Sequence, residues 1–389
     1  MHDADIIRAR SIDFAVLDEC AYYEAIYAGN DSVPNRAFYQ IDSPFWLDTQ
    51  FVALSRADSR VNARSKRKRP QKASSCCVAV EKILEKAVAL FASELKGNAS
   101  VPYFRSNDSL KSNNYDARKL AISASSTPCL LSHYEEQYFV SKHDVKEIFL
   151  SEKNCNITDI ANEIVMWKNA SLDVLTIGYK DQKYILPPMS SFIINDVSAS
   201  TALIKQRKRF DFILLDPPWP NGSVKRKNVY HMCKELTSVL ELCVPELLLE
   251  SGLFATWVTN NEKFLKFVDD MIEHFGLEKI ATWRWLKVTN SLEPISAFNS
   301  HHKLPFENIV FACHPSAVSY YVEIVDEFVL ISTPSAIHSR KPPLFPILQA
   351  LGFIKKSAEQ LELYGRYLLP QTTTIGFESC KLQNRRYFI

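Results

Sequence analysis

The chain has 389 residues, 47% of them hydrophobic, with 46 basic against 44 acidic side chains and a formal net charge of +2. That is enough apolar material for a large core, in two domains or in one with a big extension, and it excludes a fibrous chain. The near-zero balance gives no basic field over the whole protein, so affinity for nucleic acid has to come from local clusters of charge.

No run of eighteen apolar residues appears, and the N-terminus Met1-His2-Asp3-Ala4-Asp5 is polar and acidic. Both features point away from a membrane span or secretory signal and toward a soluble, intracellular protein. The nine cysteines are scattered and contain no C-x-x-C pair. They read as reduced and mainly core, neither a disulfide framework nor a zinc site.

Residues 1 to about 55 mix short apolar segments with Asp, Ser, Asn and Pro and read as ordered but irregular. Over 56–72, Arg56, Arg60, Arg64, Lys66, Arg67, Lys68, Arg69 and Lys72 face a single acid, Asp58. A segment with so little to bury is a solvated loop, to be read as a nuclear-localisation signal, a nucleic-acid patch or a plain linker. Val80, Ile83, Leu84, Ala87, Leu90 and Phe91 then recur at helical spacing and predict an amphipathic helix over 78–95. The Ser- and Asn-rich stretch 97–127 reads as loop. Helices are expected around 143–150 and 159–168, and 172–187 reads as a hairpin turning at 180–183.

From residue 187 onward the pattern alternates. Short apolar runs predict strands at 192–197, 210–215, 253–258, 280–288, 309–313, 328–331, 361–364 and 373–377, with helices at 233–250 and 344–351. Between them, Thr259-x-x-Glu262 has the form of a capping box, followed by a helix that buries Phe264, Val268, Met271, Ile272 and Phe275 on one face. This alternation predicts an α/β fold with a doubly wound, mostly parallel sheet over 186–389, joined to an additional N-terminal mixed α/β domain over 1–185.

One strand end is chemically distinctive. The run 210–215 stops on Asp216-Pro217-Pro218-Trp219, and the carboxyl edge of an open α/β sheet is where ligands bind. Stiff backbone with free carbonyls, an acid that accepts hydrogen bonds and a flat apolar face suit a planar ring carrying an amino group. The structural alternative is a Pro-Pro turn with Trp219 in the core. No G-x-G-x-x-G, G-K-[ST], H-E-x-x-H or G-x-S-x-G pattern and no paired metal-ligand spacing accompanies it. Nearby, Lys225 and Arg226 in a basic loop suit backbone phosphates. Trp283 and Trp285 share one strand face with Lys287 beyond, which fits either a core stripe or base stacking, and His302 lies in a polar loop.

These residues carry a resemblance. Asp216-Pro217-Pro218-Trp219 resembles the signature of amino-group methyltransferases acting on adenine. Trp285-Leu286-Lys287-Val288-Thr289-Asn290, His338-Ser339-Arg340-Lys341-Pro342, Leu361-Glu362-Leu363-Tyr364-Gly365-Arg366 and Thr374-Ile375-Gly376 follow in the order of the messenger-RNA adenosine-N6 methyltransferase family. The long N-terminal region and the Lys341-Pro342-Pro343 variant are most similar to the subgroup called methyltransferase-like protein 4. The resemblance covers about 190–380 and implies a Rossmann-like methyltransferase sheet, S-adenosylmethionine as donor and adenine N6 of nucleic acid as acceptor. It further implies Asp216, Pro217, Pro218 and Trp219 as the catalytic edge. Asn195, Asp196, Val197, Asp216, Ser339, Lys341, Arg366, Phe377 and Glu378 would be the donor's surroundings, with Lys341 on its carboxylate and Arg366 and Glu378 at its ribose. Trp219, Lys225, Arg226, Trp285, Lys287 and His302 would lie against the nucleic acid.

The subgroup points to RNA as partner, specifically 2′-O-methyladenosine in a U2-type small nuclear RNA; the leading reading places the protein in the nucleus, with or without a cytoplasmic share, and favours a monomer without fixing the oligomeric state. DNA adenine is the enzymatic alternative and a non-catalytic RNA-binding scaffold the other. The last is favoured by two departures from the family, Phe377 in place of a polar residue and Tyr367-Leu368 in place of a polar pair.

Overall fold

The computed structural model describes residues 6–44, 74–95, 114–126, 129, 145–152, 157, 163–219, 238–299, 304–338 and 340–389. Its first elements are strands β1 (Ile7–Arg10) and β2 (Phe14–Leu17) and helices α1 (Glu19–Ile26), α2 (Ser75–Leu95) and α3 (Tyr115–Ser126). Then come β3 (Val145–Phe149), β4 (Ile164–Asn169), β5 (Leu175–Tyr179), β6 (Gln182–Leu186), β7 (Ser190–Ile193), α4 (Thr201–Lys205) and β8 (Phe210–Leu215). The chain continues through α5 (Val244–Leu247), β9 (Leu248–Val258), α6 (Glu262–His274), β10 (Glu278–Lys287), β11 (Phe306–Cys313) and β12 (Val329–Ser332). It ends with α7 (Leu344–Ala350), β13 (Gln360–Leu363) and β14 (Thr372–Ile375).

All strands but β5 and β6 join one sheet in the order β1-β2-β12-β10-β11-β9-β8-β13-β14-β7-β4-β3. The run β9, β8, β13, β14, β7 is parallel throughout, so five carboxyl ends lie side by side. Pleating sends alternate residues of β8 to opposite faces. Ile213 and Leu215 meet Val268, Met271 and Ile272 of α6 and Phe275 at its C-cap. Phe212 and Leu214 pack on Phe345, Ile347 and Leu348 of α7, with the Phe212 and Phe345 rings stacked at 6.1 Å. Burying the four side chains Val268, Met271, Ile272 and Phe275 is worth roughly 6 to 12 kcal/mol before chain entropy is subtracted.

The sheet runs on past residue 185 in both directions. β2 adds in parallel to β12 and β1 to β2, while β4 pairs antiparallel with β7 and β3 lies outside it. Residues 1–185 therefore supply both edges of the sheet that 186–389 builds. The chain's two ends also meet, Val33 and Ile389 exchanging backbone hydrogen bonds of 3.1 and 2.9 Å.

The helix over 78–95, the 175–186 hairpin and the strands from 210 onward fall where the sequence places them. Other expectations are corrected. The irregular N-terminus contains β1 and β2, and the helices expected at 143–150 and 159–168 are strands β3 and β4. The β-branched and aromatic run Ile164-Val165-Met166-Trp167 is buried along its whole length, which suits a strand better than a one-sided helix. The loop expected over 97–127 contains α3, whose buried Ala117, Ala121 and Ala124 make an apolar stripe too small to register as hydrophobic periodicity. Of the helix expected at 233–250, residues 233–237 lie outside the described residues, 238–240 are helical, α5 spans four residues, and Leu248 already begins β9. The cap of α6 is Asn261, whose side chain accepts from the Lys263 N–H, rather than Thr259. The first strand of the alternation stops at Ile193, and Val197 begins a 3-10 turn. The basic segment 56–72 lies outside the described residues. Among the described residues no helix is long and apolar enough to cross a membrane.

Candidate active site at the carboxyl edge of the sheet

Asp216 leaves the end of β8 onto the face shared by Phe212 and Leu214, and its side chain keeps 18% of its surface open. Lys341, carried by the segment between β12 and α7, brings its ammonium to 3.6 Å from the Asp216 carboxylate. The same ammonium pairs with Glu307 at the start of β11 and lies 4.9 Å from the Trp257 ring centroid. Lys287, the last residue of β10, takes the other Glu307 oxygen and lies over Trp285 at 4.5 Å. Three strands and the segment after β12 thus deliver two acids and two cations to one wall, with indole faces beneath both cations.

Burial and charge compete here. Burial pushes the Asp216 carboxyl up, and Lys341 and Arg366 only partly offset it, so its acidity stays weaker than usual. Burial pushes Glu307 the same way, but Lys341 and Lys287 prevail and bring it to about 2. For Lys341 burial opposes the charge, and Asp216 and Glu307 more than restore it. Glu307 is therefore the permanent counter-ion, leaving Asp216 the member of the cluster poised to interact with an incoming group.

Opposite stand the ends of β13, β14 and β7. Arg366 Nε lies 2.9 Å from Glu378, which also pairs with Lys381. Asn195 is buried and its side-chain oxygen accepts the Asp196 N–H at 2.7 Å, while Asp196 caps a 3-10 turn by accepting from Ser198 N at 2.9 Å. Between the walls Gly365 is tightly enclosed: a Cβ there would lie 2.5 Å from Thr374 Cγ2 and 3.0 Å from Glu362 Cδ.

Glu362 lies beneath Asp216, its Oε2 buried without a hydrogen-bond partner. Burial first, then the Asp216 charge, raises its carboxyl to about 8. The fold therefore holds it as a neutral acid, and folding takes up a proton. Its contribution to stability is present below pH 4.5 and is lost as pH climbs through 8. Glu362→Gln mimics the protonated form, so it should leave stability near wild type at pH 5 and raise it by roughly 2 to 4 kcal/mol at pH 8.5 in urea unfolding. Equal effects at both pH values would refute that protonation state.

Below Lys341, the Arg340 guanidinium is sandwiched between the Tyr23 ring at 4.5 Å and the Tyr367 ring at 5.2 Å, and the Tyr367 hydroxyl donates to the Lys341 carbonyl at 3.1 Å. Trp285 Nε1 donates to the Ser332 hydroxyl at 2.8 Å, which donates to Glu19 at 2.7 Å. Burial raises the Glu19 carboxyl to about 7 against the lowering by Ser332 and Arg340. Helix α1 is thus part of the support beneath Lys341.

The residues fit a ligand that is itself a zwitterion with a ribose: an acid and an ammonium on one wall, an Arg-acid pair on the other, and an orphaned carboxyl oxygen beneath. A family model described as MT-A70 matches residues 210–378, which contain this wall from Asp216 to Glu378. A Caenorhabditis elegans protein named DNA N6-methyl methyltransferase is 32% identical over 97% of this chain and 98% of its own length. The chain belongs to the MT-A70 family. The human N(6)-adenine-specific methyltransferase METTL4 is 31% identical over 79% of this chain, which spans 66% of that protein. The Pyricularia oryzae N6-methyladenosine RNA methyltransferase MTA1 is 30% identical over 53% of this chain, which spans 57% of it.

Within this MT-A70 chain, the sequence-predicted residues Asp216, Lys341 and Lys287 stand together, and Arg366, Glu378, Asn195 and Asp196 line the neighbouring strand ends. Pro217 is buried and Pro218 exposed. The Pro217 carbonyl accepts the Trp219 N–H at 2.8 Å, which leaves it one lone pair. Trp219 does not offer a stacking face: it is 9% exposed, packs at 5.3 Å on Phe264 and donates Nε1 to the Trp257 carbonyl at 2.7 Å. Trp285 is likewise core, and Val197 is buried. Phe377 is largely exposed, whereas Tyr367 and Leu368 are buried, Tyr367 bracing the Lys341 backbone. Lys225, Arg226, His302 and Ser339 lie outside the described residues. Among the described residues no cluster of His, Cys, Asp and Glu is arranged to hold a metal. Glu307, Glu362 and Arg340 carry weight that sequence reasoning did not assign.

Proposed function

We propose that this chain transfers the methyl group of S-adenosylmethionine to N6 of adenine in RNA, its target a 2′-O-methyladenosine of a U2-type small nuclear RNA and its place of work the nucleus. The observation that carries the reading is the Asp216 carboxylate at the buried end of β8 with Lys341 at 3.6 Å and Glu307 as the fixed counter-ion. Lys341 would hold the donor's carboxylate, and Arg366 and Glu378 would meet its ribose. Once bound, the donor supplies a methyl group already activated by its sulfonium.

The acceptor is the harder partner, because the lone pair of an exocyclic adenine amine is delocalised into the ring. Asp216 accepts one of its hydrogens and the remaining lone pair of the Pro217 carbonyl the other, drawing the nitrogen toward a tetrahedral form, a charge-placement effect. Fixed geometry between the reacting groups supplies much of the rest. A base inside a duplex is out of reach of such an edge, so the target is single-stranded or flipped. Residues 1–185 serve as an adjunct to the catalytic unit, and the basic segment 56–72 serves RNA contact or nuclear import.

The C. elegans relative, covered almost end to end and named for DNA, supports DNA adenine as the second reading. Matched RNA and DNA oligonucleotides with and without a 2′-O-methyl on the target nucleotide decide between them. The expected result is a kcat/KM at least ~10-fold higher on the 2′-O-methyl RNA, about 1.4 kcal/mol of discrimination. Preference for DNA would move the assignment to the second reading. Folded protein that neither methylates any oligonucleotide nor binds the donor in calorimetry would make it a non-catalytic relative.

A further inference from the structure

Among the described residues, two buried polar atoms without partners stand side by side at the end of β13. Glu362 is 4% exposed with its Oε2 unpartnered, and the fully buried Thr374 has no partner for its Oγ1. The two residues are opposite each other in the parallel register of β13 and β14. A Cβ on Gly365 would touch both, 3.0 Å from Glu362 Cδ and 2.5 Å from Thr374 Cγ2, so they flank one spot beside Arg366. Folded proteins leave few such atoms, and an adjacent pair at a ligand edge calls for an account.

The carboxyl is enclosed by groups that do nothing for its charge. Tyr23 of α1 and Tyr367 after β13 lie near enough for their hydroxyls to feel an ionised Glu362, and burial holds both phenols protonated. Among the described residues no cation counters it. The charge that bears on it is that of Asp216, two residues past the Leu214 with which Glu362 is in register on β8. An ionised Glu362 would be an uncompensated buried charge beside another of the same sign, so it stays neutral until a positive charge arrives.

The proposed reaction brings one. The methyl group bridges the sulfur and the amine held at Asp216, and the sulfur is joined to the ribose met by Arg366 and Glu378. The positive sulfur therefore falls between Asp216 and Arg366, beside the strand that carries Glu362. We infer that Glu362 distinguishes donor from product by charge, giving up its proton to solvent when the sulfonium binds and taking one back when methyl transfer leaves a neutral thioether. The inference rests on the reading of the donor as S-adenosylmethionine. Its consequence is an edge that holds the donor and lets the product go.

Calorimetric titration of the full chain with S-adenosylmethionine and with S-adenosylhomocysteine, in buffers of different ionisation enthalpy, counts the protons exchanged. At pH 6.5 the donor's α-amino group is already protonated and contributes little. There the wild type should release about half a proton per donor bound and about none per product. Affinity for donor relative to product should rise roughly threefold from pH 5.5 to 7. Glu362→Gln, which cannot ionise, should lose both the release and the rise. Equal proton counts for donor and product, with both bound, would overturn this inference and leave the donor assignment standing. Release that persists in Glu362→Gln would overturn it too, by placing the proton on another group. A folded wild type that binds neither molecule would overturn the reading of the donor as well.

Discussion

Asp216→Ala is expected to lower the single-turnover rate of methyl transfer by about 10²- to 10³-fold while leaving the protein folded and able to bind nucleic acid. The expected size comes from removing the acceptor that organises the amine, where loss of one aimed electrostatic partner costs about 10²- to 10³-fold in related situations. Stability should hold, because burial already weakens the charged form of this carboxyl. Removing it relieves a strained charge, and Lys341 retains Glu307 as partner. The thermal midpoint should therefore stay within about 2 °C of wild type. Undiminished turnover would place the chemistry elsewhere, and a collapse of the fold would contradict the assignment of Glu307 as the structural counter-ion. Asp216→Asn sharpens the test: it keeps the shape but turns half of the acceptor into a donor, so its rate should fall nearly as far.

How much of this was legible in the sequence depends on where each residue's partners lie. The run 210–215 announces a buried strand because its signal is local, and the two prolines mark its end. Lys341 and Arg366 were reachable through their neighbours in a recognisable motif. Glu307 was not, since its two lysines come from β10 and from the segment after β12, thirty-four residues downstream for Lys341. Trp219 was misassigned for the same reason: Phe264 and Phe267, which enclose its ring, belong to a helix nothing in the tetrapeptide foretells. Strands β3 and β4 were read as helices because Val145-Lys146-Glu147-Ile148-Phe149 carries adjacent charges and a short apolar spacing that suits either period. What makes it a strand is its parallel register with Ile164 to Lys168, and so with the edge at β7. Tyr367 and Leu368 looked like lost donor contacts, whereas Tyr367 supports the lysine from below. A motif departure can thus move a residue from touching a ligand to holding another residue in place.

That exchange gives the second large effect. Arg340, in the segment His338-Ser339-Arg340-Lys341-Pro342, is a buried cation between two tyrosine rings, with Glu19 close enough to have its carboxyl lowered by it. Burial opposes its charge, but Tyr39, Tyr23 and Tyr367 hold it fully protonated. Arg340→Ala removes the stacking surface and leaves Glu19 buried with one fewer positive neighbour. Breaking a buried arrangement of this kind costs about 3 kcal/mol or more. In a chain of this length that should appear as a fall of roughly 5 °C in the thermal midpoint. Because Tyr367 donates to the Lys341 carbonyl from the same stack, donor affinity should weaken about tenfold even below the melting range. Tyr367→Phe separates the two effects: it keeps the ring over Arg340 but deletes the hydroxyl, so stability should change by only about 1 kcal/mol while donor affinity still falls. If Tyr367→Phe binds donor like wild type and Arg340→Ala does not, Lys341 is positioned by Arg340 directly. If neither affects donor binding, the stack is a structural core of the N-terminal helix with no bearing on the active edge.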